Sequence, residues 1–327
     1  MTYHHESGAD PTRRAVVAAL VVVTALGTVI QARMNGELVE ITGNAPEIGM
    51  LNITSGLIVA SVAIGVSARL RARWRQMAAS VRSRGLRMWE LLGGVGGVFF
   101  VTTQSACVPI IGVAVFTVAV VAGQTSNATV VDRLGIGPGG RQRVTPLRLL
   151  AVGVAIAAVA VSVADRFDPT RLEDSRLALI FAALALLAGA ASALQSALNG
   201  RVARAAGHAS IAGWVNFAVG WVVGAVVLAL LTTLGGRPLM ALPLERPWLL
   251  IGGVLGLVYV STAAWAVRPL GILLTAVLSV VGLLGGALLI DILAPTSGTS
   301  FGWHLVAGVA LALCAAALAA VGRARAV

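Results

Sequence analysis

Long apolar stretches separated by short polar segments dominate the chain. A helix that crosses the hydrocarbon core of a bilayer needs about 20 apolar residues, and ten stretches approach that length. They predict helices over residues 15–32, 48–68, 88–104, 107–123, 147–164, 177–195, 211–231, 247–267, 270–290 and 303–321. Only Ser105 and Ala106 separate the third stretch from the fourth, so we expect a sharp turn there. The pattern predicts an all-α integral membrane protein with ten transmembrane helices.

The composition excludes an ordinary soluble protein. Of the 327 residues, 58% are hydrophobic and 11% are charged, with a mean hydropathy of +0.92. Soluble domains carry roughly 25% charged residues. Cys107 and Cys314 lie in apolar segments without metal-ligand spacing, which indicates small core residues. We therefore expect no disulfide framework, no metal and no cofactor.

The charges indicate the orientation in the membrane. All 24 basic residues are arginines, and the formal net charge is +11. With the N-terminus inside, 18 arginines fall on the cytoplasmic side and six on the opposite side. Positively charged loops stay cytoplasmic, which predicts a multi-pass protein of the inner (plasma) membrane with both termini cytoplasmic. Because the arginines lie between apolar stretches rather than on one basic face, we expect membrane lipid and no nucleic acid as a partner.

Seven arginines cluster between residues 69 and 87. They could bind anionic head groups, but fixing the orientation is the favoured interpretation.

The two halves of the chain carry the same uncommon residues in the same order. Gln31, Asn35, Gly36, Gly49, Asn52 and Gly56 recur 164 positions later as Gln195, Asn199, Gly200, Gly213, Asn216 and Gly220. Trp89, Gly93, Gly94, Gly97, Val101, Thr103, Gly112, Gly123 and Asp132 recur 159 positions later as Trp248, Gly252, Gly253, Gly256, Val260, Thr262, Gly271, Gly282 and Asp291. Each half holds five predicted spans, and an odd number means that the second half enters the membrane from the opposite side. The sequence thus predicts two inverted five-helix repeats, a recurring build of secondary transporters.

This register divides the chain into four segments. They are a cytoplasmic leader over residues 1–14, a first repeat over 15–164, a connecting loop over 165–176 and a second repeat over 177–327.

At the repeated positions the sequence resembles the drug/metabolite transporter superfamily, and within it the YdcZ-like bacterial membrane proteins of five spans. The resemblance is carried by Gln31, Asn35, Asn52, Gly56, Trp89, Gly93, Gly94, Gly123, Gln124, Asp132 and their second-half counterparts. It implies a fused tandem pair that forms a ten-helix carrier working by alternating access. Gln124 departs from the pairing, because its counterpart is Leu283. Small multidrug members use a glutamate in the first span; residues 15–32 contain none, so drug/proton antiport is not implied.

Polar side chains inside a bilayer are costly to leave unpaired, so they either hold helices together or contact a solute. Asn52 and Asn216 favour helix packing, with solute contact as the alternative. Asn35 and Asn199 each precede a glycine, which favours a helix C-cap. The substrate-cavity candidates are Gln31, Asn52, Thr103, Gln104, Gln124, Gln195, Asn216, Tyr259, Thr262 and Trp265.

Three acidic residues flank the predicted spans: Glu90, Asp132 and Asp291. Each is a candidate for ion or proton coupling, although a solvated charge at a helix end is the favoured interpretation. Inverted repeats would place Asp132 at the inner mouth and Asp291 at the outer mouth.

The predicted function is secondary transport of a small organic solute or metabolite by alternating access. The alternative is a membrane scaffold or assembly partner that transports nothing. An enzyme is not expected, because the histidines and acidic residues are not clustered as acid and base pairs. A monomer and a homo-oligomer both remain open.

Overall fold

The computed structural model of the protein describes residues 11–166, 172–235, 239, 244–299 and 301–324. Residues 1–10 of the predicted leader and 167–171 of the predicted connecting loop lie outside these ranges. The described residues form helices and no strand, so the all-α prediction is confirmed. The helices are α1 (Pro11–Thr42), α2 (Ala45–Val66), α3 (Ala68–Arg82), α4 (Gly93–Leu134), α5 (Pro146–Ser162), α6 (Leu172–Ala206), α7 (Ala209–Gly235), α8 (Gly252–Leu270), α9 (Ile272–Leu293) and α10 (Trp303–Ala324).

Eight helical stretches of the described chain are long and apolar enough to cross a membrane. Two features explain the difference between these eight stretches and the ten predicted spans. The stretch Met88–Leu134 counts once although it has 47 residues, and a straight helix of that length would measure about 70 Å at 1.5 Å per residue. The 17-residue helix α5 is apolar but shorter than the other stretches.

The long stretch reverses its direction at Gly112. This residue has φ 77° and ψ 167°, a backbone region that is essentially restricted to glycine. Its first arm, residues 93–111, runs antiparallel to α6: Gly93 lies beside Asn199, whereas Cys107 Sγ lies 3.5 Å from Phe181 O.

The second arm of α4, residues 113–134, runs parallel to α6. Gly123 lies against Leu186, and at the far end Arg201 donates to the carbonyl of Gly135 at 2.9 Å. Both arms therefore lie side by side on α6, and α4 is a hairpin of two helices.

The predicted turn at Ser105 and Ala106 is wrong. Helical backbone continues through both residues, and Ser105 Oγ donates to the carbonyl of Val101 at 2.9 Å. A serine can satisfy its hydroxyl within its own helix, whereas the reversal needs a positive φ. Gly112 provides that conformation seven residues beyond Ser105.

A second hairpin has the same construction. Gly271, the repeat counterpart of Gly112, has φ 82° and ψ 163° and separates α8 from α9. Helix α8 runs antiparallel to α1, because Gly252 lies beside Asn35 while Leu270 packs with Val17.

Helix α9 returns parallel to α1. Gly282 lies beside Ala25, and Arg33 Nε donates to the carbonyl of Ala294 at 2.8 Å. The first helix of each half thus packs on the hairpin of the other half: α1 packs on α8 and α9, and α6 packs on α4.

Helices α5 and α10 pack together beside this core. Gly308 leaves room for Ser162, and Thr145 Oγ1 donates to the carbonyl of Gly322 at 3.5 Å.

The basic segment after α2 is not a loop throughout but contains the amphipathic helix α3. Ser67 caps it by accepting from the backbone N–H of Leu70 at 3.3 Å. Met77 is buried in a cluster with Val202 and Ile211, whereas most of the arginines of α3 are exposed.

Gly271→Ala tests whether the hairpin needs the glycine backbone. A Cβ at Gly271 would meet no atom of the described residues within 4 Å, so we expect any loss of stability to come from the backbone conformation. We expect a loss of about 1–3 kcal/mol, measured as a lower thermal midpoint in detergent. Gly112→Ala should lose more, because its Cβ would also lie 3.1 Å from Asp291 Oδ2.

Gly153→Ala in α5 is the matched control, because a Cβ there also meets nothing within 4 Å. It should leave stability unchanged or raise it, since alanine favours a helix over glycine. Equal effects of Gly153→Ala and Gly271→Ala would contradict the interpretation.

Candidate functional site

Four amide side chains of the first half form a buried chain of hydrogen bonds, which we call the first amide cluster. Gln31 Nε2 donates to Asn52 Oδ1 at 3.0 Å, and Asn52 Nδ2 donates to Asn35 Oδ1 at 2.7 Å. Asn35 Nδ2 in turn donates to Gln104 Oε1 at 3.0 Å. Because the four residues lie on α1, α2 and α4, the cluster ties three helices together.

Local sequence explains this alignment. Gln31 and Asn35 are four residues apart on α1, so they share one face. Asn44 accepts at Oδ1 from the backbone N–H of Glu47 at 3.3 Å and thereby caps α2. The cap fixes the start of α2 two turns before Asn52, whose Nδ2 also donates to the carbonyl of Ile48 at 3.0 Å.

The second half carries a corresponding second amide cluster. Gln195 Nε2 and Asn199 Nδ2 both donate to Asn216 Oδ1, at 3.0 and 3.2 Å. The position that matches Gln104 is Ala263. The second cluster therefore has three amides where the first has four.

Each amide cluster packs against glycines of the other half. A Cβ on Gly252 would lie 2.5 Å from Asn52 Oδ1, and one on Gly256 would lie 2.9 Å from Gln31 Oε1. These positions have no room for a side chain, which explains the glycines of α8.

The repeat-related contact is similar. A Cβ on Gly93 would lie 2.6 Å from Asn199 Oδ1, and one on Gly97 would lie 3.0 Å from Asn216 Nδ2. The glycine stretches thus pack against the amides, and Gly94 also lies against Gly220.

The predicted C-caps at Asn35 and Asn199 are wrong. Helix α1 continues to Thr42 and α6 to Ala206, so both asparagines lie inside helices. Their amides bond other amides because an apolar interior offers no water, and the following glycine serves close packing. A Cβ on Gly36 would lie 2.8 Å from Val108 Cγ1.

The remaining cavity candidates lie along the two hairpins. Gln124 Nε2 donates to Ser192 Oγ at 3.1 Å, and Tyr259 shares a side-chain hydrogen bond with Ser279. Thr103 is buried and Thr262 is half-buried. Trp265 is 47% exposed, which places it toward the periphery and apart from the amide clusters.

Asp132 and Asp291 lie at opposite ends of the second arm of α4. Asp291 accepts from the backbone N–H groups of Val113 and Ala114, at 3.0 and 2.7 Å. A carboxylate at the N-terminus of a helix satisfies free N–H groups and the helix dipole. Eighteen residues separate Ala114 from Asp132, which is about 27 Å of helix.

Both Asp132 and Glu90 are paired with arginines. Asp132 Oδ2 accepts from Arg148 at 2.7 Å and from Arg323 at 2.8 Å. Glu90 forms an ion pair with Arg201 and accepts from the backbone N–H of Arg87 at 2.8 Å. Within the described chain, no group of three histidine, cysteine or acidic residues could hold a metal ion.

Sequence reasoning missed two contacts that close the ends of the bundle. Arg201 donates to the carbonyls of Gly135 and Ile136. At the other end, Arg33 donates to the carbonyls of Ala294 and Pro295, at 2.8 and 3.4 Å.

Gly135 and Ile136 lie 159 positions before Ala294 and Pro295, which is the offset between the two repeated hairpins. The arginines contributed only to the charge count at the sequence level, because nothing in the order of residues reveals these long-range partners.

Further polar contacts reinforce the end that holds Arg33. Arg246 pairs with Glu37 at 2.5 Å. Ser297 Oγ donates to Glu40 at 2.9 Å, which joins the end of α1 to the loop after α9.

One family model matches most of the chain. Its description reads "DMT_YdcZ: Putative inner membrane exporter, YdcZ", and it covers residues 16–161 and 180–318. The two segments start 164 positions apart, the same offset as the repeat of Gln31 and Asn52. Curated proteins give no match to the chain.

A double-mutant cycle on Gln195 and Asn216 tests the second amide cluster. We expect each alanine substitution to lower the thermal midpoint, with a coupling of about 0.5–1.5 kcal/mol because hydrogen bonds in membrane proteins are worth little more. The cycle of Gln124 and Asn216 is the control, since Gln124 bonds Ser192 instead. Additive effects in both cycles would contradict the cluster.

Proposed function

Because the chain belongs to the YdcZ family of the drug/metabolite transporter superfamily, we propose that it is a ten-pass secondary carrier of a small organic solute. The two halves act as inverted five-helix units that alternate access to a site between them. The family description and the apolar helices make the chain a multi-pass inner membrane transporter.

The observation that carries the proposal is the reciprocal packing of the halves. The first helix of each half lies on the other half's hairpin, and each amide cluster faces the other half's glycines. Two units joined in this way can rock about a shared centre without breaking their internal contacts. Transporters built from inverted repeats bind their substrate at such an interface.

Ten passes follow if both arms of α4 cross the membrane and α5 crosses as well. The arms run in opposite directions, and α5 spans about 26 Å at 1.5 Å per residue, close to the thickness of a hydrocarbon core. This topology puts Asp132 and Asp291 on opposite membrane faces. The positive-inside rule then puts Asp132 and both chain termini in the cytoplasm.

The contacts at the two ends suggest how access could alternate. Arg201 belongs to the second half and holds carbonyls of the first, whereas Arg33 belongs to the first half and holds carbonyls of the second. Both contacts cross the interface, so rocking that widens one end would break one contact and preserve the other. We propose that Arg201 holds the inner end closed and that Arg33 holds the outer end closed.

Gln31 is the strongest candidate for a solute contact. Its side chain is 5% exposed, its Nε2 donates to Asn52, and its Oε1 has no hydrogen-bond partner in the described part of the chain. An unpaired buried acceptor costs about 1–3 kcal/mol, which a donor on a bound solute would recover. Gly256 fills the space beside Gln31 Oε1 in this conformation, so we propose that the solute reaches Gln31 when the two halves move apart.

The paired carboxylates favour packing over ion coupling. Asp132, Asp291 and Glu90 all have bonded partners, so a coupling role would require those pairs to break during the cycle.

Transport in proteoliposomes tests the proposal directly. We expect the purified chain to exchange at least one labelled solute from a panel of metabolites and cationic and neutral drugs in a counterflow assay. Gln31→Ala should then lower flux about tenfold or more, a larger loss than the fall in thermal midpoint from its lost bond to Asn52 explains. Gln76→Ala, an exposed amide on α3, is the control and should leave flux unchanged.

A scaffold that transports nothing predicts a different result. No solute of the panel would exchange, and Gln31→Ala would change stability alone. That pair of outcomes would overturn the carrier proposal.

Cross-linking tests alternating access. Glu40→Cys with Ser297→Cys, in a Cys314→Ala background, places two thiols where side chains of the two halves touch. A short thiol-reactive, reducible cross-linker should cut flux about tenfold or more, and a reductant should restore it. Each single-cysteine variant, treated identically, should retain flux. Full flux in a completely cross-linked sample would contradict movement at this end.

A further inference from the structure

A polar cavity of about 540 Å³ opens at the end of the bundle that holds α3. It lies between the turn after α3, the start of α4 and the segment that follows α4. The lining residues are Arg84, Gly85, Arg87, Trp89, Glu90, Leu134, Gly135, Ile136 and Arg201. None of the cavity candidates predicted from the sequence lines it.

The lining carries an excess of positive charge. Arg201 is neutralised by its ion pair with Glu90. The guanidinium groups of Arg84 and Arg87 form no hydrogen bond or ion pair with any residue in the described ranges. Among the described residues, two positive charges at the cavity are therefore uncompensated.

The backbone fixes these two arginines on either side of a buried anchor. Leu86, 3% exposed, packs in the cluster around Met77, and its N–H donates to the carbonyl of Ser80 at 3.1 Å. Arg84 has φ 59°, a left-handed conformation that is unfavourable for a non-glycine residue. The turn therefore holds both side chains at the cavity rather than leaving them on a free loop.

The lining suits a phosphate group at a membrane surface. Guanidinium groups bind phosphate oxygens through paired, charge-assisted hydrogen bonds. Trp89 is 42% exposed, and its ring lies 5.8 Å from the Arg201 guanidinium. Exposed tryptophans in membrane proteins collect at the level of the head groups, so a lipid phosphate and a soluble one could both reach the cavity.

We propose that this cavity is a binding site for a phosphate-bearing ligand, held by Arg84 and Arg87 and bordered by Trp89. The site does not depend on transport. A bound phosphate would also approach Arg201, which connects the cavity to the carbonyls of Gly135 and Ile136.

The positions of the other half that match Arg84, Arg87 and Glu90 differ in residue type or in partner. Arg246 matches Arg87 but is already paired with Glu37. Leu249 stands where the first half has Glu90, and Pro243 matches Arg84 at the same offset. The site is therefore an addition to the first half and not a property of the repeat.

Ligand binding to the full-length purified chain tests the proposal. The probes are phosphatidylglycerol, phosphatidylcholine, glycerol 3-phosphate and inorganic phosphate, and affinity is measured by native mass spectrometry and by thermal shift. We expect saturable binding of phosphatidylglycerol or glycerol 3-phosphate. Arg84→Gln with Arg87→Gln should weaken it at least tenfold, with little change in the thermal midpoint of the free protein because both side chains are exposed.

The control is Arg75→Gln with Arg82→Gln, which removes the same charge from the same basic segment outside the cavity. It should weaken binding less than twofold. Saturable binding of phosphatidylglycerol alone would identify a lipid head group as the ligand, and binding of glycerol 3-phosphate or inorganic phosphate as well would identify a site open to soluble phosphates. Equal losses in the two double variants, or no saturable binding of any probe, would overturn the proposal.

Discussion

The whole architecture depends on pairing polar groups where no water is available. Side-chain amides in an apolar interior must find partners inside the protein, and in this chain they find them in each other. The first amide cluster links α1, α2 and α4 through Gln31, Asn52, Asn35 and Gln104. Glycines of the opposite half allow the backbone to pass close to these amides, as Gly252 does beside Asn52. The same contacts therefore satisfy the amides within one half and define the surface on which the other half rests.

The two halves share a scaffold but differ in their polar details. Gly112 and Gly271 have nearly the same backbone angles, and each reverses a helical hairpin. Their acidic residues have different partners: Asp291 accepts from the start of a helix, whereas Asp132 pairs with two arginines. The two unpaired arginines Arg84 and Arg87 also belong to the first half alone. The repeat thus explains the fold, and the departures from it are where the two ends of the molecule acquire different chemistry.

Much of this fold could be predicted from the sequence, because apolar length and rare polar residues are strong signals in a membrane protein. The repeat register matched Gly112 with Gly271 but did not identify either as a reversal. The turn was assigned to Ser105 and Ala106, because a break in hydropathy is a weaker guide than backbone conformation. Asn35 illustrates the second difficulty. An asparagine before a glycine looks like a helix end when only local sequence is considered, yet its amide lies beside Gln104, 69 positions away. The contacts of Arg33 and Arg201 with distant carbonyls were equally invisible, since their partners are defined by packing.

The ion pairs between the halves have a consequence for how such a protein could assemble. Glu37 and Arg201 occupy the same position of the repeat, 164 residues apart, and they pair with Arg246 and Glu90 respectively. Two copies of the first half would bring Glu37 toward Glu90, and two copies of the second would bring Arg201 toward Arg246. Like charges would meet in both homodimers, while the natural combination joins opposite charges. At these two positions the charges favour the pairing of unlike halves, and fusion into one polypeptide supplies the two halves in equal amounts.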